Sequence, residues 1–313
     1  MRPFEVGVVL VTGQVGAERV TARWTEIRDL ALQAEALGFD TVWAPDELLW
    51  RPKDRPQMGF WDGIAMLGAI AAATSRIKVG SWVLSALHRN PGIIAKAAET
   101  LDEISGGRFV FGLGAGHEWP GQAHAFGLPE DHIYPRFEEA LDVIVPLLRE
   151  GRADLDGTYH AAHDLDHVPV GPRAGRIPLM IGGHGPKGMR HAARLADIWS
   201  CYAEKRSSAE ELAPKVAAFE AACADVGRDP LSIGRSAGVE VAPIADDGRD
   251  GRPAQGVADD ALSDAITGPP EVIADALRAL GALGFTQIEC ALNPQTPSSL
   301  ETLSKTLRLL ETA

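Results

Sequence analysis

The feature that most constrains the fold is a strict alternation of short apolar segments with amphipathic helical segments along the whole chain. Eight apolar runs have the length of strands, and each is followed by apolar residues at helical spacing. This alternation predicts parallel strands joined by right-handed helical crossovers. The predicted strands are Phe4 to Val11, Thr41 to Ala44, Ile77 to Leu84, Arg108 to Leu113, Ile177 to Ile181, Asp197 to Tyr202, Ile233 to Val241 and Phe285 to Leu292.

Some features of the predicted helices follow from a few individual residues. Ser208 with Glu211, and Ser298 with Glu301, have the spacing of capping boxes at helix starts. Pro146 lies inside a predicted helix, where we expect a kink because proline removes one backbone hydrogen bond.

Eight strand–helix units in 313 residues fit a closed (β/α)8 TIM barrel better than an open sheet. An open, doubly wound sheet would place a glycine-rich phosphate fingerprint after the first strand, and residues 11–16 lack that spacing. We therefore predict an α/β fold with one barrel domain over residues 1–313. Irregular insertions are expected at the carboxyl-terminal mouth, at about 118–135, 150–177 and 243–268.

Charge and composition exclude several classes of protein. The net charge of −13 argues against a nucleic-acid partner, because phosphate backbones require a basic surface. No apolar stretch approaches the roughly 18 residues of a membrane span, and no signal peptide is visible. Cysteines and histidines match no metal motif, so no metal site is predicted. We expect a cytoplasmic protein that acts on a small molecule and binds neither nucleic acid nor membrane.

Two glycine-rich segments follow predicted strands, at the end of a barrel where active sites lie. Residues 112–116 carry three alternating glycines, which would let a flat ligand approach the backbone because no Cβ intervenes. Residues 182–188 form a glycine-rich turn that opens a helix, where free N–H groups and the helix dipole favour an anion. Both segments fail the spacing of the nucleotide-binding motifs.

Nine short segments spread over most of the chain form a recognisable ordered set: residues 36–46, 77–80, 89–91, 101–109, 112–116, 125–127, 136–141, 181–183 and 196–197. Their order resembles that of the bacterial luciferase-like family of flavin- and deazaflavin-dependent oxidoreductases. The resemblance is greatest to the branch that uses coenzyme F420.

The resemblance implies a cofactor at the barrel mouth and assigns residues to it. A non-proline cis peptide is expected among Ser81, Trp82 and Val83, where it would support the cofactor ring. Further expected contacts to the ring edge and the phosphate are Asp46, Ser85, Gly114, Ala115, Gly116, Ile181, Gly182, Gly183 and His184. The family also implies a homodimer.

The implied reaction is hydride transfer between coenzyme F420 and a small organic substrate. His117 is the first candidate for the accompanying proton transfer, because an unperturbed histidine pKa near 6.5 suits both acid and base roles. Glu47 and Glu118 are the alternatives. Two other functions stay open: an FMN-dependent monooxygenase supplied with reduced flavin by a separate reductase, and a flavin-binding protein without turnover.

Overall fold

The computed structural model describes residues 2–15, 19–51, 56–116, 121–244 and 265–311. Eight parallel strands close into a barrel, because each strand pairs with its sequence neighbour and the last pairs with the first. The predicted (β/α)8 barrel is confirmed. Its strands are β1 (Glu5–Val9), β2 (Thr41–Ala44), β3 (Lys78–Ser81), β4 (Phe109–Gly114), β5 (Leu179–Gly182), β6 (Ile198–Tyr202), β7 (Gly234–Pro243) and β8 (Gln287–Leu292).

Among the residues that the structure describes, eight longer helices surround the barrel. They are α1 (Trp24–Leu37), α2 (Gly63–Ala73), α3 (Pro91–Ser105), α4 (Ile133–Glu150), α5 (Pro186–Leu195), α6 (Ala209–Asp225), α7 (Pro270–Ala282) and α8 (Pro297–Glu311). Shorter elements lie between them: strands Gln14–Val15, Val20–Thr21, Leu49–Trp50, Met58–Gly59, Leu84–Ser85, Arg152–Asp156, Ala161–Asp166 and Ile266–Gly268, the helix Gln122–Phe126 and the 3-10 turn Pro230–Ser232.

The inside of the barrel is filled by a few large side chains. Trp43 of β2 is 1 % exposed and lies across the interior. A Cβ at Gly7 would come within 2.4 Å of its indole, and a Cβ at Gly80 within 2.2 Å. Glycine on the two strands that flank β2 therefore makes room for the tryptophan. Val9, Val110 and Met180 complete this inner cluster.

A larger apolar core fills the layer between strands and helices. Trp199 of β6 stacks on Phe219 of α6, with ring centroids 4.3 Å apart and planes 6° apart. Both side chains are fully buried. Burying such a pair contributes a few kcal/mol by area and fixes the helix against the barrel wall.

The segment 150–177, predicted to be irregular, contains an antiparallel hairpin. Its turn is held by Glu139 of α4, whose carboxylate accepts hydrogen bonds from the backbone of Thr158, Tyr159 and His160 at 2.6–2.9 Å. The hairpin strands are largely exposed and polar, so they lack the apolar alternation that identifies a strand in sequence.

The helix starts differ in detail from the predicted capping boxes. Ser208 caps α6 by accepting from the Glu211 amide at 3.3 Å, but the Glu211 carboxylate binds the amides of residues 204–206 instead of completing the box. The last helix begins at Pro297, and Thr296 accepts from the Ser299 amide at 3.0 Å. The predicted cap at Ser298 is therefore two residues late.

Two further predictions concern helical and loop segments. α4 is a continuous helix from Ile133 to Glu150 with Pro146 inside it. Most of the polar segment 243–268 lies outside the described residues.

Within the described part of the chain, no helix combines the length and the apolar character that a membrane crossing needs.

Candidate active site

The mouth of the barrel is shaped by a break in the third strand. β3 ends at Ser81, whose hydroxyl donates to the Gly112 carbonyl and accepts from the Gly112 amide, both at 2.8 Å. The peptide bond between the two residues that follow, Trp82–Val83, is cis, as expected from the family resemblance. The chain then rejoins the sheet, where Leu84–Ser85 pairs with the end of β4. Trp82 and Val83 thus form a bulge at the carboxyl-terminal end of the barrel.

The alternating glycines of β4 make room for this bulge. A Cβ at Gly112 would lie 1.9 Å from the Ser81 carbonyl oxygen, and one at Gly114 would lie 2.8 Å from Val83. On the neighbouring strand, a Cβ at Gly182 would lie 3.3 Å from the same valine. The alternating glycines were interpreted as room for a flat ligand. The structure shows that the side of Gly112 and Gly114 where a Cβ would stand is occupied by protein atoms of the bulge.

This packing predicts a severe effect for Gly112→Ala. The added methyl group collides with a backbone carbonyl, which cannot move aside as a flexible side chain can, so we expect a loss of about 1–3 kcal/mol in unfolding free energy. Urea denaturation measures it. Gly68→Ala in α2 is the matched control, because its Cβ would meet only Leu101 at 3.8 Å and alanine is favoured in a helix. Equal stability of both variants would contradict the proposed packing.

Asp46, at the end of β2, is fully enclosed by cationic and amide donors. Its carboxylate accepts two hydrogen bonds from Arg89 at 2.7 and 2.9 Å, one from the Ser85 amide at 3.0 Å and one from His88 at 3.2 Å. Burial alone would raise the pKa of Asp46, yet His88 and Arg89 hold it below its usual range. Arg89 also bridges to Asp62 at 2.8 Å. Asp46 therefore fixes the loop that follows the bulge.

A glutamine extends this network to the other side of the mouth. Gln122 is buried, and its Oε1 accepts from the Leu48 and Leu49 amides at 2.7 and 3.0 Å. Its Nε2 lies 3.1 Å from Nε2 of His88. Because the amide oxygen faces two N–H donors, Nε2 must donate to the imidazole, whose Nδ1–H then donates to Asp46. The adjacent cavity of about 20 Å³ has room for one water molecule.

The glycine-rich turn before α5 shows which backbone groups remain for an anion. The Gly183 N–H donates to the Ser200 carbonyl at 3.0 Å, so it does not point to a ligand as expected. α5 begins at Pro186 after Gly185, and no side chain caps its start. The first-turn N–H groups have no carbonyl partner within the helix, which makes this end a fit for a phosphate. His184 stands beside it.

His184 belongs to a charged group on the β6 side of the mouth. Its Nε2 lies 3.2 Å from Glu204, and its ring meets Tyr202 edge-on at 5.1 Å. Lys215 bonds the same Glu204 at 2.9 Å and the Tyr202 carbonyl at 2.8 Å. The hydrogen bond from Lys215 lowers the pKa of Glu204. The Glu204 carboxylate and the Lys215 ammonium therefore form an ion pair that holds His184 next to the start of α5.

A second carboxyl lies deep in the barrel below the bulge. Glu289 of β8 has no exposed surface, and its carboxyl shares a short hydrogen bond with the Ser236 hydroxyl. Burial raises the pKa of Glu289 to about 7, although hydrogen bonds from Ser236 and Trp82 favour the charged form. The Trp82 ring also covers Gly238, where a Cβ would lie 2.5 Å away. The bulge therefore reaches across the barrel to β7 and β8.

The structure brings most of the predicted site residues to one end of the barrel. Glu47 follows β2 and is half-buried at the mouth, close in sequence to Asp46. Ser81 and Ile181 are fully buried, with the Ile181 side chain in the apolar core. His117 and Glu118 lie outside the described residues. The other predicted cofactor contacts, at the ends of β3, β4 and β5, are Trp82, Val83, Ser85, Gly114, Ala115, Gly116, Gly182, Gly183 and His184.

Three residues at this end of the barrel, His88, Gln122 and Glu289, were not predicted from the sequence as site residues. The order of His88 and Gln122 along the chain gives no sign that they meet, since 34 residues separate them. Glu289 did carry a signal, because it is a charged residue between Ile288 and Cys290 in a predicted strand. The described parts of the chain contain no cluster of histidine, cysteine and carboxylate side chains that could hold a metal ion.

Solved structures with this fold include several enzymes. An F420-dependent secondary alcohol dehydrogenase in complex with an F420-acetone adduct superposes with a TM-score of 0.81, at 17 % identity and with 99 % of both chains covered. A coenzyme F420-dependent tetrahydromethanopterin reductase from Methanopyrus kandleri has a TM-score of 0.78 at 20 % identity, over 97 % of this chain and 98 % of that one. At these identities the likeness supports the barrel fold.

Curated relatives are about one third identical to the chain over the regions that match. An F420-dependent glucose-6-phosphate dehydrogenase of Kineococcus radiotolerans is 33 % identical over 58 % of this chain and 53 % of its own length. An F420-dependent hydroxymycolic acid dehydrogenase of Mycobacterium tuberculosis is 31 % identical over 74 % and 61 %. Pyrimidine monooxygenase RutA of Methylorubrum extorquens is 33 % identical over 66 % and 57 %. The chain thus spans about half the length of the first of these.

The family comparison covers most of the barrel. Residues 4–250 match the model of the luciferase-like monooxygenase family, a stretch that includes the β3 bulge, the Asp46 network and the turn before α5. Because it covers more than half of the sequence, this match shows that the chain belongs to the luciferase-like monooxygenase family.

Proposed function

We propose that the protein is an oxidoreductase that transfers a hydride between coenzyme F420 and a small organic substrate. The observation that carries the proposal is the bulge at Trp82 and Val83, which offers a firm apolar platform at the barrel mouth. Relatives named as F420-dependent dehydrogenases support this cofactor. When bound, the deazaflavin supplies a carbon, C5, that accepts or donates the hydride.

The residues at the mouth fit such a cofactor. Val83 lies over Gly114 and Gly182 and would support one face of the ring system. The open start of α5 would hold the phosphate, with His184 beside it, since N–H dipoles there favour negative charge. Asp46 fixes the loop between these parts through Arg89 and His88 and so preserves the shape of the platform.

Proton transfer must accompany hydride transfer when a carbonyl and an alcohol are interconverted. A group that performs it needs hydrogen-bond reach to the substrate oxygen and a pKa near the working pH. His117, Glu47 and Glu118 are the proposed candidates. Glu47 is held at the end of β2, next to Asp46 and the anchored amide of Leu48.

A second candidate function is an FMN-dependent monooxygenase that uses reduced flavin and O2. The similarity to pyrimidine monooxygenase RutA favours it, and it would require a separate reductase as partner. A flavin-binding protein without turnover is the non-enzymatic alternative. All three functions use the same mouth, so ligand preference and turnover distinguish them.

We expect purified protein to bind F420 at least tenfold more tightly than FMN, and to reduce or oxidise F420 when given an alcohol or carbonyl substrate. Fluorescence titration gives both affinities, and the absorbance of the deazaflavin reports turnover. Preferential binding of FMN with oxygen consumption would replace the proposal by the monooxygenase. Binding of either cofactor without turnover across a substrate panel would favour the non-catalytic protein.

Assembly and location are further parts of the proposal. We infer a homodimer and a cytoplasmic location from the family resemblance and from the sequence. Light scattering at working concentration measures the mass of the assembly, and cell fractionation locates the protein.

A further inference from the structure

The hydrogen bonds of Gln122 join three segments of the mouth that are far apart in sequence. Its side chain is 3 % exposed and uses both ends of its amide. Oε1 holds the Leu48 and Leu49 amides, and Nε2 holds His88. A buried glutamine with this many bonds is costly to lose, because each abandoned amide would remain unsatisfied in the interior.

The network has a single direction of donation. The Leu48 and Leu49 amides can only donate, so the glutamine oxygen must face them. The glutamine nitrogen then donates to His88, and His88 donates to Asp46. The donor and the acceptor of each hydrogen bond from the leucine amides to Asp46 are therefore defined. Rotation of the Gln122 or His88 side chain alone would break the hydrogen bonds on both of its sides.

Glu47 lies between the two ends of this series. The residue before it, Asp46, is fixed by Arg89 and His88, and the residue after it, Leu48, is fixed by Gln122. Both neighbours of one candidate acid/base are thus anchored by buried side chains from elsewhere in the chain. This anchoring of the backbone on both sides restricts the positions that the Glu47 carboxylate can take.

We propose that Gln122 is a positioning residue for the reaction, which holds the backbone next to Glu47 through the hydrogen bonds that it accepts from the Leu48 and Leu49 amides. The inference rests on the proposed F420-dependent function. It assigns Gln122 no contact with substrate or cofactor. Its effect should appear in the rate of the chemical step, since a displacement of 1 Å at a reacting group can cost a factor of about 100.

The experiment compares two substitutions at this position. Gln122→Met keeps the size of the side chain and removes all its hydrogen bonds. Gln122→Glu keeps oxygen acceptors for the Leu48 and Leu49 amides but cannot donate to His88. We expect kcat of Gln122→Met to fall about 10- to 100-fold with F420 affinity within threefold of wild type. Gln122→Glu should recover most of that loss.

Amide hydrogen exchange makes the test independent of the cofactor. Leu48 and Leu49 should exchange faster in Gln122→Met than in wild type, and stay protected in Gln122→Glu. Gln33→Met is the matched control, because Gln33 also makes two hydrogen bonds, to Pro297 and Glu301, but these join α1 to α8. It should leave kcat and the exchange of both leucines unchanged.

The outcomes separate the two proposals. A wild-type protein without F420-dependent turnover would overturn the proposed function, while the exchange data would still report the anchoring. Normal kcat in Gln122→Met, or equally low kcat in both variants with the leucine amides protected in Gln122→Glu, would overturn the positioning role. An equal loss of F420 affinity and kcat would assign Gln122 to the cofactor platform and overturn it as well.

Discussion

His117→Ala is expected to lower turnover by about 10²- to 10⁴-fold and to leave cofactor binding nearly unchanged. A positioned general acid contributes about that factor, because it delivers a proton to oxygen as the neighbouring carbon receives the hydride. β4 ends at Gly114 at the barrel mouth, and the described chain continues to Gly116. His117 directly follows Gly116 in the sequence. Single-turnover reduction of substrate with F420 already bound measures the chemical step.

Two control variants make this result specific. His124→Ala removes another histidine seven positions later, whose side chain is 84 % exposed, and it should leave the rate unchanged. Glu47→Gln tests the competing carboxylate at the end of β2. If His117→Ala keeps the wild-type rate and pH profile while Glu47→Gln loses them, the carboxylate transfers the proton.

The barrel was predictable because its signals are local and repeated. Thr41–Ala44 was predicted from a short apolar run, and the structure shows a strand with the same bounds. The bulge after Ser81 also lies where the family resemblance placed it. Strand ends were less certain: Ile77 to Leu84 reads as one apolar strand, yet the chain leaves the sheet at Trp82.

The polar network of the site could not be predicted, because it depends on contacts between distant segments. Asp46 and Arg89 are 43 residues apart, and Gln122 meets Leu48 across 74 residues. No spacing rule joins such positions. The glycines of β4 show a related limit: the sequence indicates that a Cβ is excluded there, but only the fold shows that the bulge, with Val83, fills the space.

Glu289 is a charged residue that the sequence marks as unusual inside a strand, but only the fold shows its partners. The pKa of its carboxyl gives a quantitative test of its protonation state in the folded protein. Its ordinary pKa is 4.5, and burial raises the value in the folded protein to about 7. Between these values the folded state holds a proton on Glu289 that the unfolded state has released, so the contribution of Glu289 to folding stability is most favourable at low pH and is lost as pH rises to about 7. The shift corresponds to about 3 kcal/mol, since each pKa unit is about 1.4 kcal/mol.

Glu289→Gln should remove this dependence, because an amide is neutral at every pH and can still hydrogen-bond with Ser236. The unfolding free energy of the variant relative to wild type is therefore expected to rise by about 3 kcal/mol between pH 4 and pH 8. Urea denaturation across that range measures it, with Glu271→Gln, at an exposed site on α7, as control. If the Glu289→Gln and wild-type curves stay parallel, Glu289 is ionised in the fold, and a buried charge rather than a neutral acid lies below Trp82.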